Sequence, residues 1–145
     1  MTAPPEDGSG AQVAMNRALD SAGLSPQDIH HINAHGTGTK VNDAAEATAI
    51  RAVFDERIPV MSCKGLTGHS LGGSGAIEVV ASVISIKKRR AYQNVGVETP
   101  GPDCPVSLVP SSSIDLPKKP VILSNSFGFG GNNCSLIIGA HGGKS

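Results

Sequence analysis

A chain of 145 residues with 12 Lys+Arg against 12 Asp+Glu carries no formal net charge, so it lacks the electrostatic footprint of a nucleic-acid or anionic-surface binder. At 39% hydrophobic and 17% charged, with 18 Gly, 10 Pro and 3% aromatic residues, it suits one globular domain built from tight turns and close backbone approaches. Its cysteines, Cys63, Cys104 and Cys134, are odd in number and form no CxxC, which points to reduced thiols in a cytoplasmic protein rather than a disulfide framework.

No segment reads as a membrane span or leader. The most apolar run, Ala76–Ile86, is broken by Glu78 and two serines and is too short to cross a bilayer. The opening MTAPPEDGSG is polar and turn-forming, unlike a signal peptide.

In chain order, Ala11, Met15, Ala18, Leu19 and Ala22 share one helical face, and Gly23 closes that helix. Ser25-Pro26-Gln27-Asp28 has the N-cap, Pro and acidic pattern of a helical turn. His31–His35 reads as a short strand ending in Gly36-Thr37-Gly38-Thr39. A helix from about Asn42 to Phe54 follows, with Ala45, Ala49, Ile50 and Val53 inward. Pro59–Cys63 is the next strand and Lys64–Gly73 an irregular loop.

The longest helix runs from about Gly73 to Arg90; its middle is apolar all round, which predicts burial. Its terminal Lys87-Lys88-Arg89-Arg90 complements a helix C-terminus. A strand near Val106–Val109 sits between Pro-containing linkers. Val121–Ser126 and Cys134–Ile138 then flank a wide turn as a hairpin. Strands alternating with helices imply an α/β layered fold.

Residues 68–75, GHSLGGSG, admit two chemistries. As G-x-S-x-G they would make Ser70 a hydrolase nucleophile. That reading needs a strand running straight into the motif and a later acid and histidine. Here Lys64, Gly65, Leu66 and Thr67 intervene, and the one histidine after Ser70 is His141, in the terminal AHGGKS. As Gly-His opening a small-residue helix, the working group is His69. Gly143-Lys144-Ser145 resembles the end of a phosphate-binding loop, but Ile138 stands where that loop needs glycine.

Three glycine-rich loops each follow a short strand: His35–Thr39, Lys64–His69 and Asn125–Asn133. Loops at the same strand ends gather at one sheet edge. Two histidines and a lysine converging there can donate hydrogen bonds to one carbonyl oxygen.

HGTGT, ND-x-x-E, K-x-x-x-GH-x-x-G-x-x-G-A-x-E and NSFGFGGNN, in that order from Thr2 to about Ile138, resemble the β-ketoacyl-acyl carrier protein synthases (ketosynthases). The resemblance implies the second half of a thiolase-like αβαβα fold, lacking the first half. It also implies the loss of this half's own first strand, which would contribute to the centre of its sheet. Residues 1–140 would be the C-terminal half-domain and 141–145 a tail.

Residue by residue, His35 and His69 match the active-site histidines, and Lys64 with Glu78 an ion pair that would hold His69 in place. Phe129, between Gly128 and Gly130, matches a gate whose backbone N–H helps form an oxyanion hole. Thr37 and Thr39 match threonines that bond a phosphopantetheine arm; Lys40 departs from the proline often found next. The resemblance implies no metal and no cofactor beyond the phosphopantetheine of an acyl carrier protein partner, and a homo- or heterodimer.

The family's nucleophilic cysteine belongs to the first half, and no cysteine here matches it: Cys63 reads as core, Cys104 as loop, Cys134 as buried in the last strand. The expected function is therefore the histidine-bearing half of a condensing enzyme for decarboxylative Claisen condensation in fatty acid or polyketide synthesis. It would be inactive without a cysteine-bearing N-terminal half, whether a separate chain or a missing part of the same protein. The competing readings are a non-catalytic chain-length-factor-like or scaffolding subunit, which often lacks one or both histidines, and the Ser70 hydrolase. A metal site from His30, His31, His35 and Cys63 is a further one, weakened because strand alternation sends His30 and His31 to opposite faces.

Overall fold

The computed structural model describes residues 4–109 and 112–140; the 141–145 tail, with His141 and the Gly-Lys-Ser end, lies outside the described residues. Helix α1 (Ser9–Ala22) ends at Gly23 in the left-handed region (φ 64°), as its sequence predicts. The turn Pro26–Asp28 is opened by a capping box between Ser25 and Asp28. Then come β1 (His31–Asn33), α2 (Lys40–Val53), β2 (Pro59–Met61), α3 (Lys64–Thr67) and α4 (Ser74–Lys88). The chain continues through β3 (Arg90–Ala91), β4 (Ser107–Leu108), β5 (Ile114–Asp115), β6 (Val121–Phe127) and β7 (Asn133–Gly139).

The five-stranded sheet has the order β4-β2-β1-β6-β7. Its first four strands are parallel, and β7 returns antiparallel to β6 over a full seven-residue register. Alternation along the strands sends Ile32, Val60 and Leu123 toward α1 and α2, where Met15, Leu19 and Ile50 close one core. Met61 and Ile122 face the opposite side, with Ile77, Ala81 and Ile86 of α4 packed against them. This is an α/β layered half-fold with helices on both sheet faces.

Several expectations change. The loop Lys64–Gly73 contains a helical turn, α3, and a 3-10 turn, Leu71–Gly73. A two-stranded ribbon of β3 and β5 was not foreseen; two-residue strands leave too little periodicity to detect. The expectation of a lost strand at the centre of the sheet is not met, because β1 and β6 pair directly from His31↔Ile122 to Asn33↔Ser124. The sheet's edge strands are β4 on one side and β7 on the other. Cys134, expected to be buried, lies exposed on β7.

Helix α4 corrects the largest expectation. Its buried stripe is polar, Ser74, Glu78, Ser82 and Ser85, while Val80 is 58% and Ile84 44% exposed. The sheet beneath explains the inversion: Asn33 on β1 donates to the Glu78 carbonyl at 2.9 Å and to the Ser82 hydroxyl at 3.2 Å. Buried amides and carboxylates require such partners, so the polar stripe turns to the sheet, flanked by Ile77, Ala81 and Ile86, while Val80 and Ile84 face out.

Candidate active site

After β1 the chain continues one rung, Ala34 N–H donating to the Met61 carbonyl at 2.7 Å, and turns at His35-Gly36. Gly36 has φ 43°, and a Cβ there would come within 2.6 Å of Ser62 Cβ, so the turn requires glycine. The buried Glu46 of α2 fastens it: His35 N–H and Gly36 N–H each donate to its carboxylate at 2.9 Å. Asn125 of β6 donates to the same carboxylate at 3.1 Å and accepts from Ser135 of β7 at 2.7 Å. Burial pushes the Glu46 carboxyl pKa up, and the donated hydrogen bonds oppose that rise. Glu46 is the acid of ND-x-x-E, a motif visible in the sequence without an assigned task.

Lys64 opens α3 and Glu78 lies a turn into α4, and both are buried, Lys64 8% and Glu78 0% exposed. The Lys64 ammonium pairs with Glu78, whose other oxygen accepts from the Ser126 hydroxyl. The same ammonium reaches the His35 carbonyl and, at 3.2 Å, His35 Nδ1. The ion pair therefore holds His35, not His69 as the resemblance implied. His69 is held locally: Leu71 N–H donates to its Nδ1 at 3.1 Å, with the Ser74 hydroxyl at 3.2 Å. Leu71 adopts φ 48° in doing so, a left-handed conformation that costs a non-glycine residue of order 1 kcal/mol.

The two imidazoles meet edge to face, ring centroids 5.4 Å apart and planes at 86°. Hydrogen-bond chemistry assigns their protons. An ammonium and a backbone amide are donors only, so Nδ1 of each ring accepts. In the neutral form each ring therefore carries its proton on Nε2. Burial, then the Lys64 and His69 charges, lower the His35 pKa to about 4, so His35 is neutral at pH 7. The pair can thus offer two N–H donors to one oxygen.

Phe127, not singled out from sequence, packs its ring 5.7 Å from His35. The sequence pattern ends the strand at Ser126, whereas β6 runs on through Phe127. Phe129 lies at the hairpin tip in a 3-10 turn, 79% exposed, between Gly128 and Gly130 (φ 77°). Thr37 and Thr39 share a hydroxyl hydrogen bond of 2.8 Å. Thr37 lines a cavity of about 580 Å³ that also touches Lys40, Lys64 and His69 and is walled by Val97 and Leu108.

The other sequence candidates disperse. Ser70 is exposed, and β2 ends at Met61 with α3 intervening, so it sits on no strand-to-helix elbow. His31 is buried, its Nδ1–H donating to the Pro59 carbonyl at 3.1 Å, with burial lowering its pKa to about 4. His30 instead accepts from Val121 N–H at 3.2 Å. Among the described residues no group of three or more His, Cys, Asp or Glu is placed to hold a metal ion, and no helix is long and apolar enough to cross a membrane. Burial raises the pKa of Cys63, and burial with Asp43 and Glu46 raises that of Cys104 to about 11; neither thiol is primed as a thiolate.

Residues 1–98 match the family model for the β-ketoacyl synthase C-terminal domain. The chain is 41% identical over 141 residues to the 3-oxoacyl-[acyl-carrier-protein] synthase 2 of Staphylococcus aureus (strain COL), covering 95% of this chain and 34% of that protein. It superimposes on the ishigamide ketosynthase/chain length factor with a TM-score of 0.90 at 34% identity, covering 97% of this chain and 34% of that one. A ketosynthase in complex with its chain length factor from Xenorhabdus doucetiae gives a TM-score of 0.80 at 41% identity, covering 94% and 35%. The chain spans about a third of the length of these relatives and corresponds to the C-terminal half of the ketosynthase fold. It belongs to the β-ketoacyl synthase family, as its C-terminal domain.

Proposed function

We propose that this chain is the histidine-bearing half of a condensing enzyme that performs decarboxylative Claisen condensation of acyl and malonyl thioesters. The observation that carries the reading is the pair of imidazoles 5.4 Å apart, each with Nδ1 occupied by a donor, leaving both Nε2–H groups for one carbonyl oxygen. The malonyl thioester carbonyl accepts from His35 and His69. The bond to its carboxylate breaks, carbon dioxide leaves, and the electron pair becomes an enolate whose oxygen the two N–H groups stabilise. The enolate carbon then attacks an acyl thioester on a cysteine of the N-terminal half, and that thiolate departs. The Phe129 backbone N–H assists at the second carbonyl, and Thr37 and Thr39 bond the phosphopantetheine arm. Removing one such preorganised donor typically costs 10²–10³ in rate.

The partner half that supplies the cysteine covers the apolar stripe of Val80 and Ile84 on α4, an exposed surface of the kind that marks an interface. The assembly is a cytoplasmic dimer served by an acyl carrier protein, without a resident cofactor. A second reading, a chain-length-factor-like subunit, is favoured by relatives described as ketosynthases paired with chain length factors; the intact histidine pair weighs against it.

The test is complementation. The 145-residue chain, given acyl and malonyl thioesters of acyl carrier protein, should form no ketoacyl product. Co-expressed with a cysteine-bearing N-terminal half, it should form product. Turnover by the chain alone, or an assembled complex that never decarboxylates malonyl thioester, would sink the proposal.

A further inference from the structure

The end of β2, which delivers Lys64 to the site, is completed by a side chain rather than by a strand. Strand β4 accompanies β2 only as far as Val60↔Leu108, plus one bond from Val109 N–H to the Val60 carbonyl at 2.9 Å. On an extended strand the carbonyl of one residue and the N–H two residues on face the same neighbour, so Ser62 N–H needs an acceptor where β4 has ended. Asn94 supplies it. Its Oδ1 accepts from Ser62 N–H at 2.9 Å and its Nδ2 donates to the Val60 carbonyl at 2.9 Å. A carboxamide has the donor and acceptor of a peptide group in one plane, so Asn94, over thirty residues away in sequence, substitutes for one residue of a parallel neighbour.

What hangs from this rung is the lysine. The Ser62 hydroxyl donates to the Gly36 carbonyl at 3.2 Å and accepts from Lys64 N–H at 3.3 Å, and the Lys64 ammonium ends on His35. The segment after Asn94 also lies on the start of α3: a Cβ on Gly65 would come within 2.3 Å of the Val95 carbonyl.

We propose that Asn94 is a positioning residue, a side-chain rung that fixes the end of β2 and so holds the Lys64 ammonium against His35. Its consequence for catalysis rests on the function proposed above; the geometric claim stands apart from it.

The groups facing His35 are Lys64 from α3, His69 from the loop before α4 and Phe127 from β6, with Glu46 bonded to its backbone and Glu78 acting through Lys64. In ¹⁵N-histidine-labelled chain, Asn94→Ala should move the His35 titration midpoint from about 4 toward 6.5, by roughly one unit, a tenfold change in proton affinity. Ile29→Val, a core change remote from the rung, should leave that midpoint in place. An unmoved midpoint in Asn94→Ala, or an equal shift in Ile29→Val, overturns the proposal.

Should Asn94→Ala not fold, amide exchange in the unaltered chain decides. Ser62 N–H should exchange at least about tenfold more slowly than a free-chain amide, and exchange at the free-chain rate overturns the rung. A shifted midpoint with full activity in a His35→Ala assembly would instead reject the function and leave the rung standing.

Discussion

Replacing Lys64 by Ala should lower the chain's unfolding free energy by about 3–5 kcal/mol, read from urea titrations, because it strands a buried carboxylate. Glu78 is fully buried with two charge-assisted partners, the Lys64 ammonium and the Ser126 hydroxyl. Removing the ammonium also strips His35 of the donor on Nδ1, freeing that nitrogen to take the proton. The double variant Lys64→Met with Glu78→Leu separates the effects. Removing both charges together should restore most of the stability, since a buried ion pair is often replaceable by apolar groups of similar volume. It should not restore catalysis in the assembled enzyme, because nothing then fixes the His35 tautomer. A double variant no more stable than Lys64→Ala would show that the pair itself holds α4 on the sheet.

The histidines should show the larger kinetic effect. In the complex with a cysteine-bearing half, His35→Ala and His69→Ala should each reduce malonyl decarboxylation by about 10²–10³, expressed in kcat more than in KM. The double variant should cost less than the product of the two, because both donors serve one oxygen. Loss at one position and full activity at the other would mean that the rings do not share an acceptor, and full activity at both would favour a scaffolding role.

Much of this site was legible in the chain. His35 and His69 stand in glycine-rich turns after short strands, a local pattern that needs no tertiary information. The capping box at Ser25–Asp28 and Gly23 closing α1 follow from local chemistry. Tertiary pairing was not legible. The apolar Val80 and Ile84 have the spacing of core residues, yet Glu78 and Ser82 take the inner face because Lys64 and Asn33 wait there. Lys64 and Glu78 were recognisable as a pair, but which histidine they serve depends on where β1 lies against β2. Asn94 looks like an ordinary loop residue until the sheet shows which rung lacks a partner. Cys134 misled because an apolar run in a last strand reads as core, whereas β7 is an open edge.

The central claim is that His35 and His69 each present an Nε2–H donor, and ¹⁵N chemical shifts of the two imidazoles test it directly. At pH 7 His35 should be neutral, with an unprotonated Nδ1 and a protonated Nε2, and should stay so until the pH nears 4. His69 in its neutral form should show the same tautomer. An imidazolium at His35 at pH 7, or a proton on Nδ1 of either neutral ring, would contradict the account.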